Sequence, residues 1–355
     1  MSDRTAISWC DSTFNPWIGC TKVSPACDHC YAERLMDSRL GRVKWGHDQL
    51  RVRTSAAAWK QPIKWNARRF MQCEDCGWRG EASTPMIGCG ACGSIELSDT
   101  RRRVFCASLA DVFDNEVNPS WRDELVGLIV DTPHLDWLLL TKRIGNVDKM
   151  LKAEAWRHLP NVWLGATVCN QEEADRDIPK LLAVPARVRF LSIEPMLGPV
   201  DLTSVPARDT CASECCGNWR LDALKGASYC GDTERDPHDE VDEAESRVDW
   251  VICGGESGPQ ARPMHPDWVR SLRDQCFDAG VPFHFKQWGE WLCCETEAST
   301  DFNGRAVYVD EGFGVTLPER GLRVIQVNGA EFVHVGTKAA GRVIDGLEHN
   351  GFPAA

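Results

Sequence analysis

Residues 135–196 contain three apolar runs, LDWLLLTKR (135–143), VWLGATV (162–168) and VRFLSIEPM (188–196). Each run is short and continuously apolar, the pattern of a strand buried on both faces of a parallel sheet. A helix-like segment, NQEEADRDIPKLLAV (170–184), separates the second run from the third. This stretch therefore predicts an α/β fold whose parallel strands are joined by helices.

The same alternation continues on both sides of this stretch. Further candidate strands are WIGC (17–20), VFCASLADVF (104–113), DWVICGGES (249–257) and VPFHFKQWG (281–289). Asn118 and Pro119 form a typical helix start, and Gly280 follows a typical helix end. We expect one partial or complete parallel (β/α) barrel over residues 1–355. An open, doubly wound sheet is the alternative.

Two segments interrupt the alternation and are predicted to be insertions. Residues 73–97 contain a C-x2-C-x12-C-x2-C pattern formed by Cys73, Cys76, Cys89 and Cys92. Two such cysteine turns converge on one tetrahedral Zn²⁺, so we expect a zinc ribbon, with an auxiliary iron–sulfur cluster as the alternative. The ribbon would either contact a substrate or nucleic acid, or staple a segment that has no core of its own.

The second insertion, residues 207–248, is acidic and rich in cysteine. From Asp209 to Asp249 there are 4 Lys and Arg against 12 Asp and Glu, a local net charge of −8. Its cysteines have a spacing that fits no common metal template, so whether they bind a metal stays open: Cys211, Cys215, Cys216 and Cys230.

Net charge limits the partners of the chain. The total of −12 argues against a general polyanion binder. The 39–103 segment, however, has 13 Lys and Arg against 6 Asp and Glu, a local net charge of +7. We expect a nucleotide or nucleic acid to approach this region. Its densest run, Arg101 to Arg103, is either a contact site or a solvated loop edge.

The start of the chain and its cysteine usage indicate a compartment. The opening MSDRTAISWCDS has no signal-peptide character, and no run of 18 apolar residues is present. We therefore expect a cytoplasmic protein without a membrane partner. In a reducing compartment, the clustered members of its 18 cysteines indicate metal ligands rather than disulfides.

Cys20, Cys27 and Cys30 form a C-x6-C-x2-C loop that precedes a helix-like stretch. Three thiolates are what a [4Fe–4S] cluster receives when one iron stays open for another ligand. The alternative is a zinc ion bound by the same three cysteines and by Cys10, His29 or His47. Polar residues also follow the strands, at the edge where βα-barrels place active sites: Ser108, Asp111, Thr141, Lys142, Thr167, Asn170, Glu194, Glu256 and Lys286.

Three segments carry a resemblance to a known family: FNPWIGCTKVSPACDHCYAE (14–33), GGESGPQARPMHPDWVRSLRDQC (254–276) and FHFKQWGEW (283–291). Together they resemble a phage- and prophage-associated radical-SAM-like family within the radical S-adenosylmethionine superfamily. The resemblance implies a [4Fe–4S] cluster on Cys20, Cys27 and Cys30. It also implies an electron donor and S-adenosylmethionine, whose reductive cleavage releases a 5′-deoxyadenosyl radical. His29 would lie near the adenine.

The chain departs from the superfamily pattern at the residue that binds the methionine amine. The superfamily often has a glycine–glycine–glutamate motif at the second strand, whereas here this motif is Gly254 to Glu256. The candidates are therefore Asp111, Glu194 and Glu256, because an ammonium group needs an anionic or carbonyl acceptor. Alternatively, Glu194 and Glu256 form ion pairs at the barrel mouth. Thr167 or Asn170 could bind the ribose.

Candidate substrate-binding residues lie in the two C-terminal matching segments: Arg262, His265, Lys286 and Trp288. Cationic side chains bind phosphate or carboxylate, and tryptophan stacks on bases. We expect a radical S-adenosylmethionine enzyme that modifies or repairs a nucleotide, nucleic-acid base or related metabolite. The alternative is a non-catalytic, zinc-stapled protein that binds nucleic acid or another protein.

Overall fold

The computed structural model describes residues 3–82, 88–150, 159–207, 219–230, 242–243, 246–294, 299–300, 306–307 and 323–353. Seven parallel strands form its central sheet in the order of the chain. They are β1 (Ser12–Phe14), β2 (Arg102–Cys106), β3 (Leu135–Thr141), β4 (Val162–Thr167), β5 (Val188–Ile193), β6 (Trp250–Gly254) and β7 (Phe283–Gln287).

This sheet confirms the α/β class and the parallel barrel in its partial form. The sheet is curled into a half-barrel, and the described residues contain no pairing of β1 with β7. The doubly wound alternative is wrong, because that fold requires the strand order to reverse and here it does not.

The first strand differs from the predicted one. The sheet begins at Ser12–Phe14, whereas Trp17–Ile18 pairs antiparallel with Val52–Arg53. Pro16 lies between the two segments and has no N–H with which to continue a ladder. The chain stays close to β2 through the Gly19 amide, which donates to the Leu109 carbonyl at 3.1 Å.

Three long helices cover the convex face: α1 (Pro119–Val130), α2 (Gln171–Leu182) and α3 (Pro266–Asp278). Asn118, Asn170 and His265 cap them by accepting from backbone amides, which confirms the predicted helix start at Asn118. Shorter helical segments are Pro25–Cys27, Tyr31–Glu33, Arg34–Arg39, Ala56–Trp59, Gln61–Asn66, Ile144–Asn146, Val147–Met150 and Thr337–Ala340.

Aromatic side chains fill the concave face of the sheet. The Trp9 ring lies 4.6 Å from Phe105 of β2, 6.4 Å from Phe190 of β5 and 6.5 Å from Trp250 of β6, measured between centroids. One side chain can contact strands this far apart in the sheet only because the sheet curls around it. The Ser8 hydroxyl and the His284 Nε2, 2.8 Å apart, extend this contact to β7.

The zinc-ribbon segment forms its own antiparallel sheet of Phe70–Cys73, Arg79–Glu81 and Leu97–Asp99. It lies at the amino edge of the central sheet, where the Arg79 guanidinium pairs with Asp11 at 3.1 Å just before β1. In the second insertion, Val205–Pro206, Trp219–Asp222, Ala227–Cys230 and Asp242–Glu243 form another small sheet. Cys211, Cys215 and Cys216 lie outside the described residues.

The C-terminal part adds a sheet of Trp291–Cys294, Val324–Val327 and Ala330–His334. Two strand pairs complete the architecture: Ser299–Thr300 with Ala306–Val307, and Val343–Ile344 with Leu347–Glu348. Within the described ranges, no helix has the length and apolar character needed to cross a membrane.

Gly165 tests the packing of the concave face. A Cβ at this position of β4 would lie 2.3 Å from the ring of Phe190, its buried neighbour on β5. We expect Gly165→Ala to lower the free energy of unfolding by about 1–3 kcal/mol, because the ring has no free space into which to move. Denaturant unfolding measures the change.

Gly127→Ala is the matched control, since a Cβ there meets nothing within 4 Å on helix α1. This control should raise the free energy of unfolding by about 0.5–1 kcal/mol. An equal effect of the two substitutions would contradict the packing described here.

Candidate functional site

A cavity of about 560 Å³ opens at the carboxyl edge of the sheet. The three cysteines of the C-x6-C-x2-C loop line it, together with one or more polar side chains from the ends of β3 to β7. These polar side chains are Thr141, Lys142, Thr167, Ser192, Glu194, Glu256 and Lys286. The parallel sheet thus places the cysteine loop and the predicted strand-end residues around one space.

Local backbone structure shapes the cysteine loop. The Ser24 hydroxyl caps the short 3-10 turn Pro25–Cys27, and the Cys30 amide donates to the Cys27 carbonyl at 3.3 Å. The helical segment Tyr31–Glu33 follows directly. Burial raises the pKa of the Cys30 thiol above its ordinary value, and the backbone amides of Glu33 and Ala32 at this helix start offset part of that effect. Negative charge on this sulfur is therefore stabilised from one side.

Two arginines that sequence reasoning missed fix the loop at Cys20 and Thr21. Arg143 Nη1 lies 3.3 Å from the Cys20 Sγ, and its Nη2 donates to the Thr21 carbonyl at 2.6 Å. Arg51 Nη2 donates to the Thr21 hydroxyl at 2.7 Å and is ion-paired to Asp114. For Arg143, the one signal in the sequence was its position two residues beyond the end of β3.

The Cys20 thiol is stable as a neutral group in the protein alone. Burial raises its pKa to about 12, and the Asp111 carboxylate adds to the effect, while Arg143 lowers it. Asp111 itself is buried and accepts from Thr141 Oγ1 at 2.8 Å, from the Lys142 amide at 3.1 Å and from Arg143 at 3.2 Å. Its carboxylate thus orients the end of β3 and Arg143.

A second group of charges joins the cysteine loop to the end of β6. Both Glu256 oxygens accept from Arg262, at 2.6 Å from Nη2 and 2.9 Å from Nε, and His29 Nδ1 lies 3.0 Å from Glu256. Arg262 also reaches the loop, donating to the Asp28 carboxylate at 3.0 Å and to the Pro25 carbonyl at 2.9 Å. We call these four residues, Asp28, His29, Glu256 and Arg262, the loop clamp.

The clamp determines the protonation of Glu256. Burial raises the pKa of this carboxyl, but the hydrogen bonds from Arg262 and His29 outweigh burial and place it below its ordinary value. Glu194 is likewise paired, with Lys286 at 2.9 Å. Both glutamates therefore form ion pairs at the barrel mouth, as expected in one of the two interpretations of these residues.

Close backbone packing explains why glycines precede Glu256. A Cβ on Gly254 would lie 2.7 Å from the Glu194 carboxylate, and one on Gly255 would lie 1.9 Å from the Trp288 carbonyl. The fixed backbone of Trp288 therefore requires glycine at position 255, whereas the flexible Glu194 side chain can yield to a Cβ at position 254. Trp288 is itself buried at 4% exposure and donates its indole N–H to the Val343 carbonyl at 2.8 Å.

The remaining predicted residues are distributed as follows. Thr167 lines the cavity, where its hydroxyl lies 3.4 Å from the Lys142 Nζ. Asn170 and His265 cap helices α2 and α3, and neither lines the cavity. Arg262 belongs to the loop clamp, and Trp288 packs in the core, so Lys286 is the one predicted substrate residue that lines the cavity.

The described residues contain one compact group of metal-ligating atoms, and it is the ribbon. Sulfurs of Cys73, Cys76, Cys89 and Cys92 all lie within 4.8 Å of one another. Two of the separations are 3.6 Å, close to the roughly 3.8 Å that a tetrahedral zinc site with Zn–S bonds of about 2.3 Å requires. The ribbon group can therefore hold a metal ion such as zinc.

The two cysteine turns of the ribbon are built alike. The Gly77 amide donates to the Cys73 carbonyl at 2.9 Å, and the Gly93 amide donates to the Cys89 carbonyl at 2.8 Å. Both glycines have a positive φ, at 70° and 80°, which other residues rarely adopt. This repeated turn directs each pair of sulfurs toward the other pair.

Cys20, Cys27 and Cys30 do not form such a compact set with Cys10, His29 or His47. As they stand, these atoms lie too far apart for all of them to bind one ion, so a single zinc at this loop would require the loop to rearrange. All three cysteines nevertheless line one cavity, beside the helix start at Tyr31 and the guanidinium of Arg143.

The predicted basic region is largely neutralised within the fold. Arg102 and Arg103 are 2% and 6% exposed on β2, so these two members of the run are neither a loop edge nor a contact surface, whereas Arg101 is half-buried. Acidic residues outside the 39–103 segment pair with its cations: Asp37 with Lys44, Asp114 with Arg51, Glu124 with Arg53, Asp11 with Arg79 and Asp136 with Arg101. The net charge of +7 for the 39–103 segment does not include these acidic partners, because they lie elsewhere in the chain.

Comparison with known proteins gives a family. The family described as "Protein of unknown function (DUF5131)" matches residues 4–353. The chain belongs to this family. No curated protein and no solved structure matches the chain. Membership in DUF5131 therefore covers the half-barrel, both insertions and the candidate site together, and it assigns no activity to them.

The ribbon predicts a measurable zinc content. Protein purified without chelator should contain about one zinc ion per chain, and Cys73→Ser should lose it, because three thiolates bind zinc less tightly than four. Elemental analysis measures the content. Cys276→Ser, in a buried cysteine of α3, is the control and should leave zinc unchanged. Zinc that persists in Cys73→Ser would contradict the assignment.

The loop clamp predicts protection of the cysteine loop. Glu256→Gln removes the charge that binds Arg262 and His29, and a charged hydrogen bond contributes about 1.5–3 kcal/mol. We expect iodoacetamide to modify Cys27 at least about tenfold faster in this variant of the metal-free protein, measured by mass spectrometry. Glu124→Gln, in an exposed pair with Arg53, is the control. Equal rates in both variants would show that the clamp does not restrain the loop.

Proposed function

We propose that the protein is a radical S-adenosylmethionine enzyme, with a [4Fe–4S] cluster bound by Cys20, Cys27 and Cys30. The observation that carries this proposal is the convergence of all three cysteines on one cavity at the carboxyl edge of a parallel half-barrel. A structural site would use four protein ligands, as the ribbon does. Three cysteines would leave one iron of such a cluster without a protein ligand.

The surrounding charges suit an anionic group at the three cysteines. Arg143 contacts the Cys20 sulfur and is 7% exposed, so solvent screens its charge little. Lys142 lines the same cavity, and the amides at the helix start face Cys30. These groups would stabilise thiolates whose burial otherwise favours the neutral thiol. When bound, the cluster supplies one electron for the reductive cleavage of S-adenosylmethionine.

Other residues around the cavity hold the cysteine loop in place or would bind S-adenosylmethionine. Asp111 orients Arg143, and the loop clamp seats the cysteine loop on β6. With Asp111, Glu194 and Glu256 each bound to cations, the methionine amine would bind to a partly satisfied carboxylate such as Glu194. Thr167 remains the candidate for the ribose, since it lines the cavity and Asn170 does not.

The polar groups of the cavity suit a substrate that carries N–H and carbonyl groups. Trp9 and Phe105, each at most 9% exposed, close its floor next to the Glu194–Lys286 pair. A carboxylate and an ammonium bind N–H and carbonyl groups. We therefore propose a nucleotide, a nucleic-acid base or a related metabolite as the substrate, for modification or repair.

Anaerobic reconstitution tests the proposal. With iron and sulfide, the protein should turn brown, absorb broadly near about 400 nm and bind about four iron atoms in addition to ribbon zinc. Addition of S-adenosylmethionine and a strong reductant should produce 5′-deoxyadenosine. Cys27→Ala should abolish both signals, whereas Cys276→Ala should retain them.

Two results would overturn the proposal. A protein that stays colourless and gains no iron would favour the alternative, a zinc-stapled binding protein. Formation of 5′-deoxyadenosine that persists in Cys27→Ala would refute the ligand assignment instead. The first result concerns the cluster and the second concerns its cysteines, so the two are distinguishable.

A further inference from the structure

A second large cavity lies on the opposite edge of the sheet from the cysteines. It has a volume of about 960 Å³ and separates the zinc ribbon from the amino ends of the strands. We call it the amino-edge groove. Arginines line both of its walls, Arg68 and Arg69 on the ribbon side and Arg101 and Arg187 on the barrel side, with the acids Asp99 and Asp136.

The barrel wall has more cations than anions. Asp136 accepts from Arg187 at 3.1 Å and lies 3.6 Å from Arg101, so one carboxylate serves two guanidinium groups. Both arginines also donate through Nη1 to the Pro160 carbonyl, at 3.0 and 3.2 Å. Each guanidinium has five N–H groups in a planar fork, so both retain donors for a further ligand.

The cations of the ribbon wall are exposed. Arg68 pairs with Glu81, which also pairs with the buried Arg102 of β2, and Arg69 pairs with Asp99. The side chains of Arg68 and Arg69 are 50% and 64% exposed, so water screens their ion pairs. Such pairs exchange readily for a ligand of higher charge. The shared Asp136 and these exposed pairs therefore leave positive charge for a ligand across the groove.

The groove suits a phosphate backbone rather than bases. Guanidinium groups bind phosphate oxygens in a bidentate manner. Phe70, which also lines the groove, is only 8% exposed, so its ring offers little face on which a base could stack. Lys64 is exposed on the short helix Gln61–Asn66, whose last residue lines the groove.

We propose that the amino-edge groove binds the phosphate backbone of a nucleic acid, independently of base sequence. Arg101 and Arg187 contact phosphate on the barrel side, and Arg68 and Arg69 contact it on the ribbon side. This proposal locates the partner suggested by the basic 39–103 segment, adds Arg187 from outside that segment, and does not depend on a cluster at the cysteine loop.

Fluorescence anisotropy of labelled 20-nucleotide probes tests the proposal with the zinc-loaded full chain. Two unrelated sequences, each as single strand and as duplex, should bind with similar affinity, and log K should fall linearly with log salt. Replacing Arg101 and Arg187 together by Gln should weaken binding about tenfold at about 50 mM salt. It should also reduce the salt slope by about 1.4 for single strands or 1.8 for duplexes.

Asp136→Asn provides a test in the opposite direction. Loss of the shared carboxylate frees both arginines, so binding should tighten and the salt slope should steepen, a result that misfolding would not produce. Arg273→Gln, in a pair with Asp345 on α3, is the matched control and should bind like the original chain.

Three results would overturn the proposal: no binding at about 50 mM salt, unchanged binding in both groove variants, or competition by inorganic pyrophosphate that matches the oligonucleotide. The last result would assign the groove to a small phosphate compound. Because none of these measurements uses iron or S-adenosylmethionine, their failure leaves the proposed enzyme activity untouched.

Discussion

Parallel pairing in chain order is the constraint on which the rest of the structure depends. All seven central strands run in one direction, so their carboxyl ends meet at one edge and their amino ends at the other. The cysteine loop follows β1 and therefore reaches the first edge, as do the ends of β3 to β7. The ribbon enters just before β2 and lies at the second edge.

Buried charge holds the cysteine loop in place on this framework. Arg51 and Arg143 are each at most 7% exposed on their side chains and each is bound to a carboxylate, Asp114 or Asp111. Removing one partner from such a pair leaves an uncompensated buried charge, which is strongly destabilising. The loop thus has one defined position over the cavity.

The two groups of cysteines serve different physical needs. The four ribbon cysteines lie close enough for one ion and close a small sheet that has no large apolar core. The three loop cysteines line a cavity supported by the core of the half-barrel. The two groups lie at opposite edges of the sheet, so the ribbon does not reach the candidate active site. The role proposed for the ribbon is to form one wall of the amino-edge groove.

Local patterns in the sequence determined the strands, the long helices and the ribbon ligands, because burial on both faces, helix caps and short cysteine spacings are recorded within a few residues. The sequence predicted the first strand at residues 17–20, whereas it lies at Ser12–Phe14. Whether Pro16 interrupts a strand ladder depends on which strand lies beside it in the fold. Tertiary structure alone decided that Arg143 contacts Cys20, that Arg262 binds Glu256 and the loop, and that Arg102 and Arg103 are buried. Composition counts charges, whereas only folding decides which carboxylate, far along the chain, neutralises each one.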